Sequence, residues 1–195
     1  MNNPESGRTT TTDRPPDVVR GRGVLDHWPA LAGLGVAVLL LATGVADRDT
    51  LAIGVTAAAV CYLAAGALGR PWVAWASVLG VSVVVVAGES AGLPRWASLG
   101  LTGAVLVAVG LWRGARRPTL TQAVALLGFG GLAVVALSID PQVGLVLAGL
   151  TLASHGVWDL VHYRRDVVVP RSLAEACLML DVPLGLGCIL LAVAG

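Results

Sequence analysis

Polar and ionisable side chains lie within two apolar stretches near the carboxyl end of the chain. Ser154, His155, Asp159 and His162 belong to the first stretch, and Asp181 belongs to the second. Imidazole and carboxylate groups are ligands for zinc and iron. A histidine beside a carboxylate can also exchange protons near neutral pH. These residues therefore predict a metal site or a proton relay.

The spacing of these residues limits how they could share one ion. His155, Asp159 and His162 follow the pattern i, i+4, i+7, so all three lie on one face of a helix. His155 and His162 are about 10.5 Å apart along the helix axis, too far to share one ion comfortably. A better site takes His155 with Asp159, or Asp159 with His162, and completes the ligand set with Asp181 or Glu175.

Such a site predicts a metal-dependent hydrolase. The candidate ligands are His155, Asp159, His162 and Asp181, and the candidate catalytic residues are Asp159, Asp181 and Ser154. Zinc lowers the pKa of a bound water toward about 7, and a neighbouring carboxylate then acts as general base. The Ser154 hydroxyl would bond an oxyanion or a metal ligand. Substrates inside a membrane would be amphipathic, such as lipid amides or esters.

Two other interpretations use the same residues. Within a helix bundle, Asp and His side chains can relay protons in an ion-coupled transporter or a sensor. The cluster could instead be structural, with His155 and Asp181 holding two helices together in a membrane subunit. Ser172 and Glu175 fit a capping box at a helix start, which would account for Glu175.

The composition predicts an all-α integral membrane protein. Apolar residues make up 56% of the 195 residues and charged residues 13%, about half the charge of a soluble domain. A transmembrane helix needs about 20 mostly apolar residues. We predict a disordered cytoplasmic tail over 1–25, where polar residues predominate, and a bundle of seven transmembrane helices over 26–195. The predicted helices are 28–46, 51–69, 72–88, 96–112, 120–138, 142–163 and 173–194.

The arginines predict the orientation. All 13 basic residues are arginine, so no lysine can form a retinal Schiff base. Eleven arginines lie in the tail and the second, fourth and sixth loops, and two lie beside the first and third loops. Positive charge stays on the cytoplasmic side, so we expect a cytoplasmic N-terminus and an external C-terminus. The arginine-rich, lysine-free composition favours a bacterial inner membrane, and nothing indicates nucleic-acid binding.

The depths of the polar residues predict which of them meet. We measured depth from Tyr163 on helix six and from Ser172 on helix seven. His155 and Asp181 then lie about 12 and 13 Å deep. Asp159 lies about 6 Å deep and Glu175 about 4–5 Å deep. We therefore expect His155 beside Asp181, and Asp159 beside Glu175 or an arginine, in a site that opens toward the cytoplasm.

The overall architecture resembles the CREST superfamily of membrane metal hydrolases, which includes adiponectin receptors and alkaline ceramidases. The likeness covers the seven helices, the cytoplasmic N-terminus and a His/Asp/Ser cluster near the cytoplasmic face. That family spreads its ligands over separate helices and has a late H-x-x-x-H pair. This chain has H-x-x-x-D-x-x-H from His155 to His162. The resemblance implies a membrane hydrolase fold, and no role of a family residue is assigned to a residue of this chain.

Overall fold

The computed structural model describes residues 27–194, and over that range it contains seven α-helices and no strand. The predicted tail, residues 1–25, lies outside the described residues. Each of the seven predicted apolar stretches coincides with one helix to within a few residues. The helices are α1 (Trp28–Thr43), α2 (Arg48–Leu68), α3 (Val73–Ser90), α4 (Arg95–Trp112), α5 (Arg116–Ser138), α6 (Pro141–Arg165) and α7 (Arg171–Ala194).

Local sequence signals set several helix ends. The Asp140 carboxylate accepts hydrogen bonds from the first backbone N–H groups of α6, and Pro141 occupies the first turn. Asp47 caps α2 by accepting from the Thr50 N–H at 2.7 Å. Gly44 adopts the left-handed conformation (φ 70°) and ends α1 at Thr43, three residues earlier than predicted.

Helix α2 lies at the centre of the bundle, packed against α3, α4, α5 and α6. Helix α7 packs mainly against α6 on one side and α1 on the other, and α3 packs against α2 and α4. One apolar core joins Leu51 of α2, Ala133 of α5, Leu152 of α6 and Leu184 of α7. This arrangement brings α2, α5, α6 and α7 together around the polar residues.

Glycines allow α6 and α7 to approach closely. A methyl group added at Gly185 would lie 2.5 Å from the Gly149 carbonyl oxygen, and one added at Gly149 would lie 2.8 Å from that of Gly185. Neither position has room for a side chain, as is common where membrane helices pack backbone to backbone. The close contact fixes the distance between polar side chains on the two helices.

Six helices, α2 to α7, are long and apolar enough to cross a membrane, which indicates a multi-pass membrane protein. Large apolar side chains on the outside of the bundle agree: Leu79, Leu127 and Val193 are each about three-quarters exposed. Helix α1 has 16 residues and a length of about 24 Å, short of the roughly 30 Å hydrocarbon core. A crossing by α1, and hence the count of seven, stays a prediction.

Candidate metal centre

One imidazole nitrogen lies between two carboxylates at the interface of α6 and α7. The Nδ1 atom of His155 is 2.8 Å from Oδ2 of Asp181 and 3.5 Å from Oδ2 of Asp159, one turn away on α6. The side chains of His155 and Asp159 are fully buried, and that of Asp181 is 2% exposed. The predicted contact between His155 and Asp181 is confirmed.

Helix α2 adds a tyrosine to this cluster. The hydroxyl of Tyr62 donates a hydrogen bond to Oδ1 of Asp159 at 2.6 Å. The Tyr62 ring also packs edge-on against His155, with ring centroids 5.6 Å apart. The expected pairing of Asp159 with Glu175 or an arginine is wrong, because the Asp159 carboxylate bonds the Tyr62 hydroxyl of α2 instead.

Glu175 and Ser172 contact other helices instead. Glu175 lies 2.7 Å from Nδ1 of His27, at the start of α1. The Ser172 hydroxyl accepts a hydrogen bond from the indole N–H of Trp75 on α3 at 3.0 Å. The expected capping box between Ser172 and Glu175 does not form, since both side chains tie the start of α7 to neighbouring helices.

His155, Asp159 and Asp181 can together offer three ligand atoms to one ion, and these atoms lie within 4.8 Å of one another. Zinc bound at about 2.0–2.1 Å in a tetrahedral site spaces its ligand atoms about 3.4 Å apart. The separation of 3.5 Å between His155 and Asp159 matches that spacing, and the pair with Asp181 would have to open slightly.

An unsatisfied polar atom points to the same position. Among the described residues, Oδ2 of Asp159 is buried and accepts no hydrogen bond. A buried acceptor without a partner costs roughly 1–3 kcal/mol, more when it is charged. A cation between Asp159 and Asp181 would satisfy that oxygen and neutralise the carboxylates, so the donor set fits a divalent ion.

His162 lies outside this group and has other partners. Its Nδ1 is 2.8 Å from the Trp158 carbonyl oxygen, and its Nε2 is 3.1 Å from the side-chain amide nitrogen of Gln122 on α5. The Gln122 oxygen accepts from the Trp158 indole at 3.2 Å. These contacts fit a neutral imidazole that donates from Nδ1 and accepts at Nε2. The structure thus places the candidate ligand His162 in a separate polar cluster.

Ser154 is also placed apart from the site. Its side chain is on the exposed face of α6, and its hydroxyl donates to the Thr151 carbonyl oxygen at 2.8 Å. Residues 154 and 155 are about 100° apart around a helix, so burying His155 turns Ser154 toward the outside. The structure therefore brings together His155, Asp159 and Asp181 but not Ser154.

A narrow cavity of about 290 Å³ reaches the cluster from the side of the bundle. Tyr62 and Asp181 both line it, and most of its remaining wall is apolar. The cavity therefore leaves space beside the three candidate ligands.

Sequence reasoning missed Tyr62 and Gln122. Thr119 and Gln122 have the spacing of a capping box at a helix start. However, α5 begins at Arg116, and both side chains are buried inside the bundle. Tyr62 lies mid-helix, away from the ends where interfacial aromatic residues concentrate. A buried tyrosine or glutamine in a membrane helix needs a polar partner, and that is the signal that could have found both.

No family model, curated protein or solved structure matches the chain.

Proposed function

We propose that this protein binds one divalent transition metal ion, such as zinc, through His155, Asp159 and Asp181, and hydrolyses a lipid-like amide or ester there. The observation that carries the proposal is the convergence of three buried ligand groups, one of which, Asp159, carries an unsatisfied carboxylate oxygen. Residue types, spacing and burial all agree with such an ion, and the adjoining cavity gives a membrane-dissolved substrate a route to it.

The hydrolysis assigns a role to each residue. A zinc ion held by His155, Asp159 and Asp181 would supply a water of lowered pKa and would polarise a substrate carbonyl. Hydrolysis would join the water oxygen to the carbonyl carbon and break the bond to the ester oxygen or amide nitrogen, which would receive one of the water protons. Asp181 lines the cavity, and its carboxylate would carry that proton. Tyr62 holds the Asp159 carboxylate in position through Oδ1.

Metal content of purified protein tests this proposal. We expect near-stoichiometric metal in the wild-type protein in detergent, and its loss in a His155→Ala/Asp159→Asn double variant that keeps its helical content. Ser154→Ala is the matched control, because Ser154 neighbours His155 but lies on the exposed face. A wild-type protein that holds no metal, even after zinc is added back without chelators, would overturn the proposal. Metal-loaded protein is then assayed with lipid amides and esters.

A proton relay is the second candidate function, and one observation favours it. An unbroken series of contacts crosses from α2 through α6 to α7. It runs from Tyr62 to Asp159 at 2.6 Å, from Asp159 to His155 at 3.5 Å, and from His155 to Asp181 at 2.8 Å. Protons can move along such a series during coupled transport or sensing. Proton uptake into vesicles by the metal-free protein, abolished by Asp159→Asn, would support this function over hydrolysis.

For the orientation, we propose a cytoplasmic N-terminus and seven crossings in a bacterial inner membrane. The eleven-to-two distribution of arginines supports this. In that orientation the ends of α6 and α7 near Arg165 and Arg171 face the cytoplasm, and the metal centre lies in the cytoplasmic half of the bundle.

A further inference from the structure

A gap separates α3 from the pair formed by α1 and α7. Helix α3 packs against α2 and α4, whereas α1 packs along α7. At one end the gap is bridged by Trp75 of α3, which stacks on Trp28 of α1 and donates its indole N–H to Ser172 of α7. The 290 Å³ cavity that reaches the metal centre lies in this gap, with walls from α1, α2, α3, α6 and α7.

The cavity is long and has a small volume. Its wall on α2 runs from Thr50 to Tyr62, about 18 Å along the helix. Its volume of about 290 Å³ is at the lower limit of the roughly 300–1,000 Å³ that is usual for small-molecule pockets. A long, small and mostly apolar cavity suits one hydrocarbon chain better than a bulky or two-chain ligand.

The wall has a buried part and a part that opens on the outside of the bundle. Tyr62 and Asp181, the two residues shared with the metal centre, are buried. Gly54, Val78 and Ser82 line the same cavity and are exposed on the outside of the bundle. In the proposed membrane orientation this outside surface faces the hydrocarbon of the bilayer, so a lipid chain can enter from there.

We propose that the cavity takes up one acyl chain of a single-chain lipid from the bilayer. The carbonyl end of the chain lies at Tyr62 and Asp181, and its tail runs along α2 toward Thr50. The cleavage of this chain rests on the hydrolysis proposed above. If that hydrolysis occurs, the cavity restricts the substrates to single-chain fatty amides or esters with small polar ends. Binding of the chain itself depends on the shape and apolar wall of the cavity and not on the ion.

Photolabelling tests where the chain lies. The probe is a fatty amide with a chain about as long as the 18 Å wall on α2 and with a diazirine on its last carbon, added to the protein in phospholipid vesicles. We expect carbene insertion at Leu51 and Leu184, which line the cavity and are 1% and 3% exposed, so that lipid outside the bundle cannot reach them. Insertion at Leu173 instead would mean that the chain is reversed and would overturn the assignment.

A cavity-blocking variant and a matched control make the test specific. A Cβ atom at Gly54 or at Gly80 meets no atom within 4 Å, so the backbone at both positions can take a side chain, and Gly54→Leu and Gly80→Leu form a matched pair. Only Gly54 lines the cavity. We expect Gly54→Leu to lose insertion at Leu51 and Leu184, and Gly80→Leu to keep it. Unchanged insertion in Gly54→Leu, or insertion only at exposed positions, would overturn the proposal.

Metal content measured on the same samples separates this proposal from the proposed function. Gly54→Leu is expected to keep the wild-type metal content, because a Cβ atom at Gly54 meets no atom of the three ligand residues within 4 Å. Labelling inside the cavity of a protein that holds no metal would support the chain site and overturn the hydrolase. Metal without labelling inside the cavity would overturn the chain site alone.

Discussion

The Nδ1 atom of His155 lies 2.8 Å from Oδ2 of Asp181 across the interface of α6 and α7, and 3.5 Å from Oδ2 of Asp159 on its own helix. One imidazole nitrogen thus faces two carboxylates in a fully buried region. Two such carboxylates cannot both be ionised without a neighbouring positive charge. A proton on His155 or a metal ion would supply that charge, so both candidate functions depend on the same three residues.

The contact between His155 and Asp181 should stabilise the packing of α6 against α7. In a double-mutant cycle with His155→Ala and Asp181→Ala, we expect a coupling free energy of about 1–2 kcal/mol, near the upper end for polar pairs in membrane proteins. The measurement is unfolding in mixed micelles with metal removed. The exposed pair of Asp166 and Arg171, 3.4 Å apart, is the control and should show coupling close to zero. Equal coupling in the two pairs would contradict this prediction.

Tyr62→Phe should weaken metal binding without removing a ligand. The hydroxyl donates to Oδ1 of Asp159 at 2.6 Å and orients that carboxylate. Loss of such a supporting hydrogen bond typically lowers metal affinity roughly 10–100-fold. Stability of the metal-free protein should fall by roughly 1–3 kcal/mol, because a buried carboxylate loses its donor. Zinc titration against a competing chelator gives the affinity. Tyr163→Phe is the control. Equal zinc affinities in the two variants would show that Tyr62 does not support the metal site.

The bundle could be predicted from sequence because each helix is encoded locally. Apolar stretches bounded by charge, proline or glycine gave helices close to the observed bounds. The contact between His155 and Asp181 could also be predicted, since two antiparallel helices joined by a short loop place residues of equal depth side by side. The partner of Asp159 could not be predicted, because the depth of a residue does not determine which way its side chain faces around the helix axis. Tyr62 belongs to a helix far away in sequence, and no local pattern shows that α2 is central.

Gly185→Ala should disturb the metal centre from a distance. The added methyl group would lie 2.5 Å from the Gly149 carbonyl oxygen, so α6 and α7 must move apart. Overpacking of this kind costs about 1–3 kcal/mol, and the wider spacing should lengthen the contact between His155 and Asp181. We expect a lower Tm and weaker zinc binding. Gly128→Ala is the control, since a methyl group there meets no atom within 4 Å and alanine favours the helix.

Single cysteines on either side of α4 should report the orientation. With the three native cysteines replaced by alanine, Ala91→Cys lies in the predicted external loop and Ala115→Cys lies in the predicted cytoplasmic loop. A membrane-impermeant maleimide should label Ala91→Cys on intact cells and Ala115→Cys only after the cells are permeabilised. The reverse pattern would invert the proposed orientation. Labelling of both on intact cells would mean that α4 does not cross.

The same labelling should decide whether α1 crosses the membrane. Helix α1 ends at Thr43 because of Gly44, and its length of about 24 Å is short for a span. Trp28 at its start is exposed and suited to the interface, and the apolar residues Val45 and Ala46 extend the segment beyond the helix. We therefore expect α1 to cross, with local thinning of the bilayer making up the difference. Thr12→Cys should then be labelled only after permeabilisation, and Val45→Cys on intact cells. If both react on intact cells, α1 lies along the surface and the chain crosses six times.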